Sequence, residues 1–208
     1  MTPGEIIEAR SSDWSKGRKR DRYAASDIKT QSDVSDNVYY SNLSELSVAK
    51  YMRYRGYSCS TDFSMYMQDR KNQWDKDVVC DSPILILYND TVVKCDSTII
   101  VKSQTRSMYE WAKQRASWIF QRKYQNRSAD PLLQKLQDNQ LFCGVLINDK
   151  ALQVVCTLLF YYWPSIGFLI REDDPLAEPI AKKLCGNKKA LYLDRVEVEP
   201  VKVLGAES

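Results

Sequence analysis

The stretch Thr98-Ile-Ile-Val-Lys-Ser-Gln104 decides the fold, because it joins a run of β-branched residues to a lysine. β-Branched side chains favour strands, so this stretch predicts a strand in the core of a sheet. Alternation along a strand places residues 98, 100 and 102 on one face. A buried lysine is costly unless it is paired, which makes Lys102 a candidate functional residue.

The residues before this strand predict a helix, a short strand and a hairpin. An apolar stripe at helical spacing predicts a helix over residues 43–55 that ends at Gly56. Residues 78–80 are a short candidate strand. The segment 83–95 predicts a hairpin that turns at Asn89-Asp90.

The residues after this strand predict a basic helix followed by more strands. Ser107 and Glu110 form a Ser-x-x-Glu capping box that opens a helix over residues 108–125. Asp130-Pro131 predicts the start of a short helix. Four strands are expected at residues 141–147, 151–162, 166–170 and 190–198, with a helix at 175–185.

The expected fold class is therefore α/β (α+β), in the order helix, strand, hairpin, strand, helix, strand. Added C-terminal strands and a short helix follow this core. Residues 1–37 are polar and predict a flexible basic arm, which leaves residues 38–208 as a single domain.

Three local signatures lie on this order of elements. They are Glu45-Leu-Ser-Val-Ala-Lys-Tyr-Met-Arg-Tyr-Arg-Gly56, Trp74-Asp-Lys-Asp-Val-Val79 and Ile99-Ile-Val-Lys-Ser-Gln104. Over residues 43–147 the pattern resembles the restriction-endonuclease-like fold of the PD-(D/E)XK nuclease superfamily. The resemblance implies a Mg²⁺-dependent nuclease that cleaves phosphodiester bonds of nucleic acid, DNA rather than RNA.

The resemblance also implies which residues would do the chemistry. Lys102, Glu45 and Asp77 match the catalytic positions, and the two acids would hold Mg²⁺ or Mn²⁺. The residue types suit that role, because hard cations prefer oxygen ligands and a lysine can orient water or stabilise developing charge. Each acid also has a structural alternative: Glu45 as the end of a capping box from Asn42, and Asp77 as a turn residue before a strand.

The second strand acid of the superfamily falls on Ile100, two residues before Lys102. Two interpretations stay open. In one, Asp75 supplies the missing metal ligand, because in an extended segment it shares a face with Asp77 at about 6.5–7 Å. In the other, the protein is catalytically inactive and binds nucleic acid or a partner protein.

The net charge of +3 is unevenly distributed. Residues 16–22 carry net +4 and residues 102–127 carry net +6, which leaves the remainder of the chain at net −7. This asymmetry favours a surface that faces a polyanion, although a solvated helix face and a basic tail would look the same. The candidate nucleic-acid-binding residues are Arg106, Lys113, Arg115, Arg122, Lys123 and Gln104, the last of which matches the Lys-x-Gln found in many members of the superfamily.

Several classes of protein are disfavoured by the composition. The chain has no histidine, so imidazole bases and His-ligated zinc sites are excluded. The six cysteines form no Cys-x-x-Cys pair and are expected to be reduced thiols. Without a secretory signal or an apolar run of about 18 residues, we expect an intracellular protein, cytoplasmic or nuclear and not secreted, with no membrane contact. A homodimer, or an accessory protein unrelated to nucleases, stays open.

Overall fold

The computed structural model describes residues 31–61, 77–105, 117–121, 139–148, 154–166, 188–192 and 198–206. These residues form mixed α/β structure in which strands predominate, as the sequence predicted at the level of fold class. In chain order the elements are α1 Gln31–Tyr54, β1 Cys59–Thr61, β2 Val78–Cys80, β3 Ile84–Tyr88, β4 Thr91–Cys95, β5 Thr98–Thr105, β6 Ser117–Gln121, β7 Leu141–Asn148, β8 Val155–Tyr162, α2 Trp163–Ile166, β9 Lys188–Tyr192 and β10 Lys202–Val203.

Helix α1 buries the apolar stripe that predicted it. The helix begins at Gln31, so it includes the position between residues 37 and 38 where the sequence predicted the end of the arm and the start of the domain. Its end is a Schellman motif: the Gly56 N–H donates to Arg53 O, and the Tyr57 N–H donates to Met52 O, both at 3.0 Å. Gly56 has φ +92°, a conformation that side chains with a Cβ rarely adopt. Neither helix that the structure describes is long and apolar enough to cross a bilayer.

The main sheet has the strand order β1-β2-β5-β7-β8. Strands β5 and β7 are parallel, whereas the other neighbouring pairs are antiparallel. The register pairs Ile99 with Leu141 and Ile100 with Phe142 across β5 and β7. This confirms the predicted strands at residues 98–102 and 141–147 and extends both of them.

The two faces of this sheet are both apolar near its centre. Ile99 and Val101 belong to the core formed with the α1 stripe and with alternate residues of β7. By alternation, Ile100 lies on the other face, in register with Phe142. The Phe142 ring packs against Tyr161 and Trp163, with ring centroids 6.3 and 5.7 Å away. Strand β5 therefore contributes buried residues to two separate layers.

A three-stranded sheet of order β10-β3-β4 contains the predicted hairpin. Asn89 and Asp90 have φ values of 48° and 59°, which is the paired positive φ of a type I′ turn. The hairpin prediction is thus confirmed. The Tyr57 hydroxyl accepts a hydrogen bond from Leu85 N at 2.9 Å and ties this sheet to the end of α1.

The predicted helix over residues 108–125 is wrong where the structure describes it. Residues 117–121 form strand β6, which pairs antiparallel with β9 in a two-stranded sheet. The apolar triplet Trp118-Ile-Phe120 suits a strand as well as a helix, and pairing with a segment about 70 residues away decided between them. Ile166 ends α2 instead of opening a strand, and the strand expected at 190–198 begins at Lys188. The helices expected at Asp130-Pro131 and at 175–185 lie outside the described residues.

Candidate active site

Asp77 lies immediately before β2, and its carboxylate is hydrogen-bonded to the backbone of β5. Its Oδ2 atom accepts a hydrogen bond from the Val101 N–H at 2.6 Å. The β2–β5 register pairs Val78 with Ile99, so one further residue places Asp77 opposite Ile100. A charge-assisted bond of this length fixes the carboxylate at the centre of the sheet.

Lys102 lies on the same face of the sheet as Asp77. Alternation along β5 gives Ile100 and Lys102 one face, and Asp77 takes that face because Val78 points into the α1 core. Lys102 is then the diagonal neighbour of Asp77, a separation of about 7–8 Å between Cα atoms. The residue beside it on β7 is Gly144, which has no side chain to compete for this space. The structure therefore brings Asp77 and Lys102 to adjacent positions.

Ile100 lies opposite Asp77 and two residues before Lys102, at the position where the superfamily places an acid. Its side chain is 0% exposed. Its neighbour in the register is Phe142, whose ring belongs to the aromatic layer with Tyr161 and Trp163. Ile100 therefore serves as a packing residue.

Glu45 lies in the interior of α1 and is 3% exposed. Its Oε1 atom accepts a hydrogen bond from the Ser41 hydroxyl at 3.2 Å. The alternative of a capping box from Asn42 is wrong, because the helix begins eleven residues before that position. Helix α1 packs on the face of β5 that carries Ile99. Asp77 and Lys102 lie on the opposite face of the sheet. The sheet therefore separates Glu45 from both of them.

A metal site needs more oxygen ligands than these described residues provide. Within the part of the chain that the structure describes, no group of three or more Asp, Glu, Cys or His side chains could hold an ion. Asp75, the candidate replacement for the missing acid, lies outside that part. Mg²⁺ in proteins is bound by one or two carboxylates together with water and phosphate oxygens, and of the predicted metal ligands only Asp77 lies beside Lys102 in the part of the chain that the structure describes.

The predicted nucleic-acid contacts are mostly beyond the described residues. Gln104 is described and is only 3% exposed, so its amide is enclosed by the protein. It lies in register with Leu146 of β7. The other five candidates, Arg106, Lys113, Arg115, Arg122 and Lys123, fall outside the described ranges, as does the basic segment 16–22.

The sequence did not reveal the aromatic layer behind Ile100. Tyr161-Tyr-Trp163 predicted only the end of a strand with an apolar cap, whereas two of its rings pack on Phe142. Burial, helped by Glu199 and Cys143, raises the pKa of Tyr161 to about 12. The phenol therefore stays protonated at neutral pH and is not a base. The only signal in the sequence was the clustering of aromatic residues at one strand end.

No family model, curated protein or solved structure matches this chain. The resemblance of residues 43–147 to the PD-(D/E)XK nucleases therefore depends on the motifs around Glu45, Asp77 and Lys102.

Proposed function

We propose that this protein has a restriction-endonuclease-like core and binds nucleic acid, DNA rather than RNA, without cleaving it. The observation that carries the proposal is the complete burial of Ile100, which lies opposite Asp77 and two residues before Lys102. The superfamily places an acid at that position, and an isoleucine packed beside Phe142 cannot hold a metal ion.

The order and direction of the elements support the core. A long helix, α1, precedes the antiparallel strands β1, β2 and β5, and β5 is followed by the parallel strand β7. The hairpin β3–β4 is inserted between β2 and β5. The resemblance implies this order as far as β5, but it also implies a helix between β5 and β7, where the described residues 117–121 form strand β6 instead.

The environment of Asp77 supports a structural role for that carboxylate. One of its oxygens is occupied by the Val101 N–H at 2.6 Å. That bond joins the start of β2 to the middle of β5, so it stabilises the strand pairing even when no metal is bound. An inactive member of the superfamily would keep Asp77 for this reason alone.

The charge distribution supports a polyanionic ligand. Residues 102–127 carry net +6 while the chain as a whole carries +3. Contacts from lysine and arginine to phosphates release counterions, which makes affinity depend steeply on salt. This sequence-independent attraction would remain after the loss of catalysis.

Binding to single- and double-stranded DNA and RNA, measured by fluorescence anisotropy across a salt series, tests the proposal. We expect affinity for duplex DNA to fall with salt, with a slope in log–log form of about −0.9 per phosphate contact. Replacing Arg115, Arg122 and Lys123 with alanine should flatten that slope by up to about 2.7. A matched control replaces three exposed lysines elsewhere with alanine, Lys50, Lys94 and Lys202, and should change the salt slope less. If none of the four ligands binds in a salt-dependent manner, the proposal is wrong.

A metal-dependent nuclease is the second candidate, favoured by the shared face of Asp77 and Lys102. In that case Asp77 and Asp75 would hold Mg²⁺ or Mn²⁺ without Glu45, which lies on the other side of the sheet, and Lys102 would act at the attacking water. The same four nucleic acids, incubated with each metal, decide between the candidates. Cleavage that disappears in both Asp77→Asn and Lys102→Ala would select the nuclease, and intact substrates under all conditions would select the binding protein.

A further inference from the structure

Two cysteines face each other across the edge of the main sheet. The β1–β2 register pairs Cys59 with Cys80 directly. The neighbouring pair, Ser58 and Asp81, carries the inter-strand bond, since the Asp81 N–H donates to Ser58 O at 2.9 Å. The two cysteines therefore occupy a non-hydrogen-bonded position, where opposed Cα atoms lie about 4.5 Å apart and side chains are closest. That separation lies within the range that a disulfide accepts.

The two sulfur atoms are in contact. Cys59 Sγ lies 2.7 Å from Cys80 Sγ. A covalent S–S bond is about 2.05 Å long, so bond formation requires only a small further approach of the two side chains. The remaining described cysteines, Cys95, Cys143 and Cys156, have no such partner among the described residues.

The surroundings of the pair make its two members chemically different. Cys80 is buried, and its hydrogen bond to Cys59, together with that burial, raises the pKa of its thiol. The hydrogen bond from Cys80 lowers the pKa of Cys59, and the positive charge of Arg53 lowers it further, against burial and the Asp81 carboxylate. Arg53 is held there because its Nη2 and Nε atoms donate to Cys59 O at 2.8 and 3.2 Å. Cys59 is also the more exposed of the two thiols.

We propose that Cys59 and Cys80 are a redox-active dithiol pair that is oxidised by low-molecular-weight disulfides such as oxidised glutathione. The thiolate of Cys59 attacks one sulfur of the small disulfide, which forms a mixed disulfide and releases one small thiolate. The Cys80 thiol then loses its proton and attacks Cys59 Sγ, which forms the Cys59–Cys80 bond and releases the second small thiol. The protein loses two electrons and two protons, and the small disulfide gains both as two thiols.

The bond would join the edge strand β1 to β2 and close a loop of 22 residues, from Cys59 to Cys80. Asp77 lies inside this loop, immediately before β2. Oxidation would therefore stabilise the part of the sheet that carries the Asp77 carboxylate. Loop closure of this size should raise the melting temperature by roughly 6–12 °C, provided that the native geometry is not strained.

The test treats the full-length protein with oxidised glutathione and follows it by intact-mass and peptide mass spectrometry. We expect the wild-type chain to lose two hydrogen atoms and to yield a peptide pair linked through Cys59 and Cys80. In Cys80→Ser the reaction should stop with one glutathione on Cys59. In Cys59→Ser the Cys80 thiol should stay unmodified over the same time. Cys95→Ser is the matched control and should form the linked pair as the wild type does.

Two results would overturn the proposal. One is a wild-type chain that, fully folded by circular dichroism, carries glutathione on Cys59 but never forms the linked peptide. The other is a Cys59→Ser variant in which Cys80 takes up glutathione as fast as Cys59 does in Cys80→Ser. Mapping the wild-type chain requires no variant, so poor folding of a serine variant cannot hide the first result.

Discussion

Replacement of Ile100 by glutamate tests the structural basis of the proposed function. The variant restores the acid that the PD-(D/E)XK pattern expects at this position. Ile100 is 0% exposed, lies in register with Phe142 and stands opposite Asp77. Burial and the Asp77 carboxylate would therefore both act against a charge on the new carboxyl group, opposed by the single positive charge of Lys102. A carboxyl group in such surroundings stays neutral instead of ionised.

The cost can be worked out from that burial. Glutamate in an unfolded chain has a pKa of about 4.3, so holding it neutral at pH 7 costs roughly 4 kcal/mol at about 1.4 kcal/mol per pH unit. Lost apolar contacts add about 1 kcal/mol, part of the 1.5–3 kcal/mol that a buried isoleucine contributes. We therefore expect Ile100→Glu to lower the free energy of unfolding by about 5 kcal/mol at pH 7. The raised pKa means that this loss shrinks as the pH falls toward 4, where the unfolded carboxyl is also protonated.

Urea unfolding followed by tryptophan fluorescence, at pH 7 and pH 5 and with and without Mg²⁺, measures the effect. Ile99→Glu is the matched control, since Ile99 is equally buried but faces the α1 core. Both variants should be destabilised alike, and Mg²⁺ should rescue neither. A binding-competent acid would behave differently: Mg²⁺ at 100 times its dissociation constant would restore about 2.7 kcal/mol to Ile100→Glu alone. That selective rescue, or new cleavage activity, would refute the assignment of Ile100 to packing.

The remaining predictions concern single contacts. Asp77→Ala should lower the free energy of unfolding by about 1.5–3 kcal/mol in urea titrations, because the Val101 N–H of β5 loses a charged acceptor. Asp96 is exposed, so the control Asp96→Ala should change the free energy of unfolding by less than about 0.5 kcal/mol. Gly56→Ala should cost about 1–2 kcal/mol in the same assay, since alanine is strained at φ +92°. The rate at which iodoacetamide alkylates Cys59 should increase with pH, and this increase should occur at a lower pH than for a free thiol, because the pKa of Cys59 is lowered. Cys80→Ala removes the main cause of that lowered pKa, so the pH–rate profile should move to higher pH. A profile that does not move would contradict this prediction.

Local sequence patterns were sufficient for several elements. The apolar stripe from Leu43 to Met52 predicted the buried face of α1, and Gly56 predicted its end. Asn89-Asp90 predicted the hairpin, because these residue types tolerate the positive φ that a two-residue turn requires. In each case the determinant lies within a few residues of the structure that it specifies, so no knowledge of the rest of the chain was needed.

The candidate site was predictable only in part. Sequence spacing placed Ile100 and Lys102 on one face of a strand, and the register agrees. Spacing within one strand did not reveal that Asp77 would bond to the Val101 N–H, because that contact depends on how β2 aligns with β5. The burial of Ile100 likewise depends on Phe142, which is 42 residues further along the chain.

Only the tertiary structure decided the pairings between distant segments. Residues 117–121 carry a helical capping signal upstream, yet they form β6 because β9 offers a partner strand, and tertiary pairing outweighs a weak local preference. Cys59 and Cys80 are 21 residues apart in the sequence, and the β1–β2 register brings their sulfur atoms together. The sequence by itself determined which segments are apolar, where the chain turns and which strand faces alternate. It could not determine which strands meet, because the hydrogen bonds of a sheet are formed between backbone groups that are the same in every residue.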